Sequence, residues 1–147
     1  MGERGVIRNR EAKRQIVDMS GLRYGKITPT DLDAFLDFGN RLFVFVECKY
    51  MNAPLYYGQR LAIERLVDAC HMPPQRYAVA FVVEHNGGEA DIDFAGTTVR
   101  QYRWDGKWLA PKIDGSSLRE GVDAFRDRCL SGNARLASNV VPIRAGR

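Results

Sequence analysis

The chain has 147 residues, 45% of them hydrophobic, which suits one domain with a buried core and argues against a solvated, unfolded polymer. Its net charge of +4 and pI near 9.1 suit a polyanionic partner. Three widely spaced cysteines (Cys48, Cys70, Cys129) and two histidines argue against a zinc site or a disulfide framework, and no apolar run nears the roughly 18 residues of a membrane span. A soluble, cytoplasmic protein with no membrane partner is expected.

Residues 1–14 carry Arg4, Arg8, Arg10, Lys13 and Arg14 against Glu3 and Glu11. Asn9 is placed to cap a helix from Arg10 to Met19, ended by Ser20-Gly21. Arg23, Tyr24 and Lys26 follow in a loop whose cations suit phosphate oxygens.

The stretch from Asp31 to Lys49 is the most informative. Leu42-Phe-Val-Phe-Val46 is continuously apolar, as in a strand buried on both faces, yet it runs directly into Glu47 and Lys49. Charges there cost stability unless they are paired, solvated or bound to metal. Gly39-Asn40-Arg41 supplies turn residues tolerant of positive φ. If all three form the loop, Phe38 faces Leu42, Asp33 faces Glu47 and Asp31 faces Lys49, with all four charged groups on one face. A two-residue loop would break this pairing. Opposed β-carbons lie about 4.5–5.5 Å apart, close enough for two carboxylates to share a divalent ion.

Tyr50 to Gly58 reads as a loop, and Gln59 opens a helix with an apolar stripe of Leu61, Ile63, Leu66, Val67 and Ala69. Arg60 and Glu64, spaced i, i+4, can pair on its surface. Pro73-Pro74 ends the helical region. Tyr77 to Val83 reads as a second buried strand, parallel to the first across the helix. Residues 91–108 read as a small antiparallel hairpin. Its strand Thr98–Trp104 alternates like a solvated edge, and Asp105-Gly106 marks its tip, which disqualifies Asp105-Gly-Lys107 as a second acidic-x-Lys site. Ser116 or Ser117 caps a last helix from Leu118 to about Leu130, with Glu120 completing a capping box. One domain over residues 1–130 and a polar, weakly basic tail over 131–147 are expected.

Pro29-Thr-Asp-Leu-Asp33, Glu47-Cys-Lys49 and the helix Gly58-Gln-Arg-Leu-Ala-Ile-Glu-Arg-Leu66 together resemble the PD-(D/E)xK nuclease superfamily. That superfamily has the restriction-endonuclease-like fold and includes Holliday-junction resolvases and small phage enzymes. No Asp directly follows Pro29, so two aspartates compete for the role of first metal ligand. The resemblance implies an α/β protein with a mixed central sheet flanked by helices, followed by a small antiparallel hairpin. It implies a Mg²⁺-dependent (or Mn²⁺-dependent) endo- or exodeoxyribonuclease acting on DNA. Asp33 and Glu47 would hold the ion, with the Cys48 carbonyl a further ligand and Asp31 a second-ion or tuning group. Lys49 would orient the attacking water, and Gln59 would point into the site. Arg23, Lys26 and Arg60 are the candidate DNA contacts, and a homodimer is suggested by analogy with resolvases. The alternative is a catalytically silent module of the same fold that binds nucleic acid or a protein.

Overall fold

A computed structural model describes residues 9–11, 18–88 and 91–131. The expected helix Arg10–Met19 and, beyond Ser131, the expected tail 131–147 lie outside these residues for most of their length. The chain divides into two compact units, Met1–Asp31 and Leu32–Arg147. In the first, Ser20–Leu22 form a turn of 3₁₀ helix, and Tyr24 and Ile27 exchange backbone hydrogen bonds around Gly25, which has φ +64°. Arg23, Lys26 and Asp31 are exposed.

The described residues of the second unit form a five-stranded mixed sheet with two helices. Strands β1 (Ala34–Phe38), β2 (Leu42–Tyr50), β3 (Tyr77–His85), β4 (Thr98–Trp104) and β5 (Lys107–Leu109) lie side by side in chain order. Helix α1 (Tyr57–Cys70) connects β2 to β3, and α2 (Leu118–Leu130) follows β5. Only β2 and β3 pair in parallel, as the intervening helix requires, and the other neighbours are antiparallel.

The first hairpin closes as its turn chemistry dictates. Gly39 and Asn40 adopt φ +64° and +63°, the Asp37 carboxylate accepts from Asn40 N–H, and Phe38 faces Leu42. The three-residue loop therefore holds, and with it the register Ala34–Val46.

Alternation along β2 splits the core in two. Leu42, Val44 and Val46 join Val79, Phe81, Val83, Tyr102, Trp104 and Phe125 on the α2 side. Phe45, with Phe43 at its edge, joins Ile63, Val67, Ala78 and Ala80 on the α1 side. Each large side chain so buried contributes about 1.5–3 kcal/mol. Within α1 the buried positions are Ile63 and Val67, while Leu66 stays exposed. Helix α2 has the expected capping box: Ser117 Oγ accepts from Glu120 N–H, and Glu120 accepts from Ser117 N–H. Gly121 lets α2 approach the sheet closely, since a Cβ there would stand 2.9 Å from Phe81 Cε1.

Two expectations are corrected. Thr98–Trp104 is not an edge strand; β4 lies between β3 and β5 with Val99, Tyr102 and Trp104 buried, so the hairpin is part of the main sheet. Residues 94–96 form a 3₁₀ turn and add no strand to it. The alternation has another origin. Arg100 and Arg103 sit on the α1 side and extend to partners at its margin, Arg103 reaching Asp68 through two bonds of 3.1 and 2.6 Å. Asp105 and Gly106, with φ +49° and +79°, form the β4–β5 turn as expected. Among the described residues, no helix is long and apolar enough to cross a membrane.

Candidate active site

Glu47 and Lys49 continue the row of Phe43 and Phe45 on the α1 side of β2, where the apolar core gives way to the N-terminal turn of α1. Gln59 projects from that turn and joins them. Its amide NH₂ donates to Glu47 Oε1 at 2.6 Å, and its carbonyl accepts from Lys49 Nζ at 2.6 Å. Lys49 Nζ lies 3.2 Å from the same Glu47 oxygen, which closes a three-membered ring of side chains. The amide is oriented the one way that serves both charges.

Glu47 is 7% exposed. Burial raises its carboxyl above the usual carboxylate range, and the negative charge of Asp33 raises it further. The ammonium of Lys49 and the Gln59 bond oppose this without cancelling it.

Asp33 comes to the site along the edge of β1. The regular pairing ends at Ala34–Val46, one pair short of Asp33–Glu47. The Asp33 N–H turns back to Val46 O at 3.2 Å, and the carboxylate Oδ2 accepts from Cys48 N–H at 2.7 Å. A side chain thus takes over where the backbone ladder stops. The N–H and C=O of one strand residue leave on the same side, so the Cys48 carbonyl faces the Asp33 edge. The Cys48 thiol is pushed up by burial and then by the charges of Asp33 and Glu47, which disfavours a thiolate.

Both Glu47 contacts fall on Oε1, and the Asp33 contact falls on Oδ2. Among the described residues, Glu47 Oε2 and Asp33 Oδ1 therefore accept no hydrogen bond. Two carboxylates, each fixed through one oxygen, with a backbone carbonyl beside them, form a donor set of the type that suits Mg²⁺ or Mn²⁺, hard cations that need few protein ligands. A cation would also offset the unfavourable charge on Glu47.

The structure thus joins Glu47, Lys49 and Gln59 by direct contacts and brings Asp33 beside them through Cys48. Arg60 follows Gln59 on α1, half exposed, and pairs with Glu64 at 3.1 Å. Asp31, Arg23 and Lys26 belong to the first unit.

The sequence reading missed Arg100. Its guanidinium donates to the carbonyls of Ala53 and Met51 at 2.7 Å each and to Glu84 at 3.2 Å. This fixes the loop between Lys49 and α1 to strand β4. The lone arginine in an otherwise apolar or uncharged Thr98–Gln101 was the available signal.

No protein-family model matches the chain, and neither a curated protein nor a solved structure matches it.

Proposed function

We propose that the protein is a metal-dependent nuclease of the PD-(D/E)xK type that hydrolyses phosphodiester bonds in DNA. One observation carries this reading: a buried carboxylate, Glu47, held by Lys49 and Gln59 beside Asp33, with one oxygen of each carboxylate accepting no hydrogen bond from the described residues. A merely structural ion pair gains nothing from a second carboxylate next to it, whereas a divalent-cation site is strengthened by one.

Asp33 and Glu47, with the Cys48 carbonyl, would hold Mg²⁺ or Mn²⁺. Such an ion, when bound, acidifies a coordinated water and stabilises charge on phosphate oxygens. Lys49 supplies a cation next to the carboxylates, positioned to orient the attacking water and to face the charge that develops on the phosphate. Gln59 touches both charged groups and fixes their separation. Arg60, and Arg23 and Lys26 of the first unit, are the candidate contacts to the DNA backbone.

The test is incubation with end-labelled linear, nicked, flapped and four-way DNA, with Mg²⁺ or Mn²⁺ and with EDTA. Cleavage should require the ion and disappear in Glu47→Gln. Failure to cut any of these substrates with either ion, or cutting in EDTA, would overturn the proposal.

The alternative is a catalytically silent module of the same fold that binds nucleic acid or a protein. Thermal melting separates the two readings. An ion at about 100 times its Kd stabilises its site by about 2.7 kcal/mol, whereas a silent module is indifferent to it.

A further inference from the structure

We infer that the substrate strand is unpaired at the site, with its bases stacked on Tyr56 and Tyr57; this rests on the nuclease reading above. Tyr56 is 70% exposed and Tyr57 is 78% exposed, the two most solvent-open aromatic side chains among the described residues. Both stand at the start of α1, where Tyr56 is the N-cap. Gln59, whose amide holds Lys49 and Glu47, lies in the first turn of the same helix, three residues after the Tyr56 cap. Residues three apart on a helix are neighbours on its surface, so Tyr57 is adjacent to Arg60, which is half exposed and cationic.

Isolated surface aromatics need no explanation, but these two are adjacent, and the segment before them is pinned. Arg100 holds Met51 and Ala53 by their carbonyls, and Ala53 N–H donates to Tyr50 O at 2.9 Å. The loop that delivers the tyrosines to the site is thus fixed in place. Tyr50 has a different role: by alternation along β2 it points away from Lys49, and its ring meets His85 edge-on at 5.5 Å.

Two exposed rings at the helix start that also carries Gln59, next to a cation, can form a stacking platform. In a duplex the base faces are already occupied by neighbouring bases. Only an unpaired strand can present them to protein, and every base has a face to offer, so such binding tolerates sequence.

The experiment measures binding by fluorescence anisotropy in EDTA, where no cleavage occurs. The probes are labelled oligothymidylate, an abasic strand of the same length and a duplex of the same length. Wild-type protein should bind oligothymidylate more tightly than either other probe. Tyr56→Ala and Tyr57→Ala should each weaken oligothymidylate binding by roughly 5- to 150-fold, the usual worth of one stacked base, and leave the abasic strand unaffected. Tyr56→Phe and Tyr57→Phe should retain binding, since the ring and not the hydroxyl does the stacking. Equal losses on the abasic strand, no loss on oligothymidylate, or tighter binding of the duplex would overturn the inference. Melting curves verify that the variants fold.

The two proposals fail separately. A stacking signature in a protein that never cuts DNA would remove the nuclease reading alone. Duplex cleavage unchanged in both alanine variants would remove the platform alone.

Discussion

Gln59→Ala tests the side-chain ring most directly. The substitution removes the donor to Glu47 and the acceptor for Lys49, two bonds of 2.6 Å, each to a charged group. Hydrogen bonds of that kind contribute about 1.5–3 kcal/mol each when water is excluded. Gln59 is only half-buried, so water replaces part of the loss, and a net destabilisation of about 2 kcal/mol is expected. A chain of 147 residues unfolds with an entropy of about 0.3 kcal/mol/K, at about 2.1 cal/mol/K per residue. The melting temperature should therefore fall by about 6–7 °C. In the cleavage assay, freed Lys49 and Glu47 should lower kcat by about a hundredfold with little change in KM, the usual consequence of misplacing groups that act in the transition state. Gln59→Glu is the sharper control. It keeps an acceptor for Lys49 but sets a second carboxylate against Glu47, which burial already holds above its usual range. The acid limb of the pH–rate profile should then move to higher pH than in wild type, because Glu47 must ionise against an added charge. A Gln59→Ala protein with wild-type melting temperature and rate would refute the ring.

Glu47→Gln and Lys49→Ala should each abolish cleavage while circular dichroism shows an intact fold, and Glu47→Gln should also lose any Mn²⁺-induced rise in melting temperature. Asp33→Asn should lower activity by orders of magnitude and Asp31→Asn by less, measured on the same labelled DNA. An amide at position 33 can still accept from Cys48 N–H but brings no charge to an ion. His71 makes stability depend on pH. Its Nδ1 accepts from Ala78 N–H, and burial depresses its pKa below 6.5 against the opposing pull of Asp105 and Asp68. The unfolded chain therefore takes up the proton first, so this contribution is complete above about pH 6.5 and is lost as pH falls towards the folded-state value. Urea midpoints from neutral to mildly acid pH should fall more steeply in wild type than in His71→Asn.

The parts legible in the sequence were those set by local chemistry. Gly39-Asn40-Arg41 determined the loop, and the loop determined the register that brings Asp33 towards Glu47. Ser117 and Glu120 announced α2, and Asp105-Gly106 announced a turn. The position of β4 was not legible, because alternation reports how the two faces are covered and says nothing of whether the strand's edges are paired. Arg100 and Arg103 make that face look solvated although their heads are engaged by the loop carbonyls, Glu84 and Asp68. Geometry also decided how Asp33 is held. Its carboxylate takes the Cys48 N–H because the ladder ends at Ala34, and no residue pattern signals that. Gln59 entered by resemblance alone; the contact between Gln59 and Lys49 depends on how the intervening loop is folded.

That loop also acts as a gauge of length. Arg100 fixes it at Met51 and Ala53, and α1 begins only a few residues later at Tyr57. An α-helix turns by about 100° per residue, so inserting or deleting one residue between Ala53 and Tyr57 would rotate the whole of α1 by that angle about its axis. Gln59 would swing away from Lys49, and at the same stroke Ile63 and Val67 would leave the sheet for solvent. Chemistry and packing are thus indexed by one residue count. The protein can absorb insertions at its exposed Asp105–Gly106 turn far more readily than in the short span between Ala53 and Tyr57.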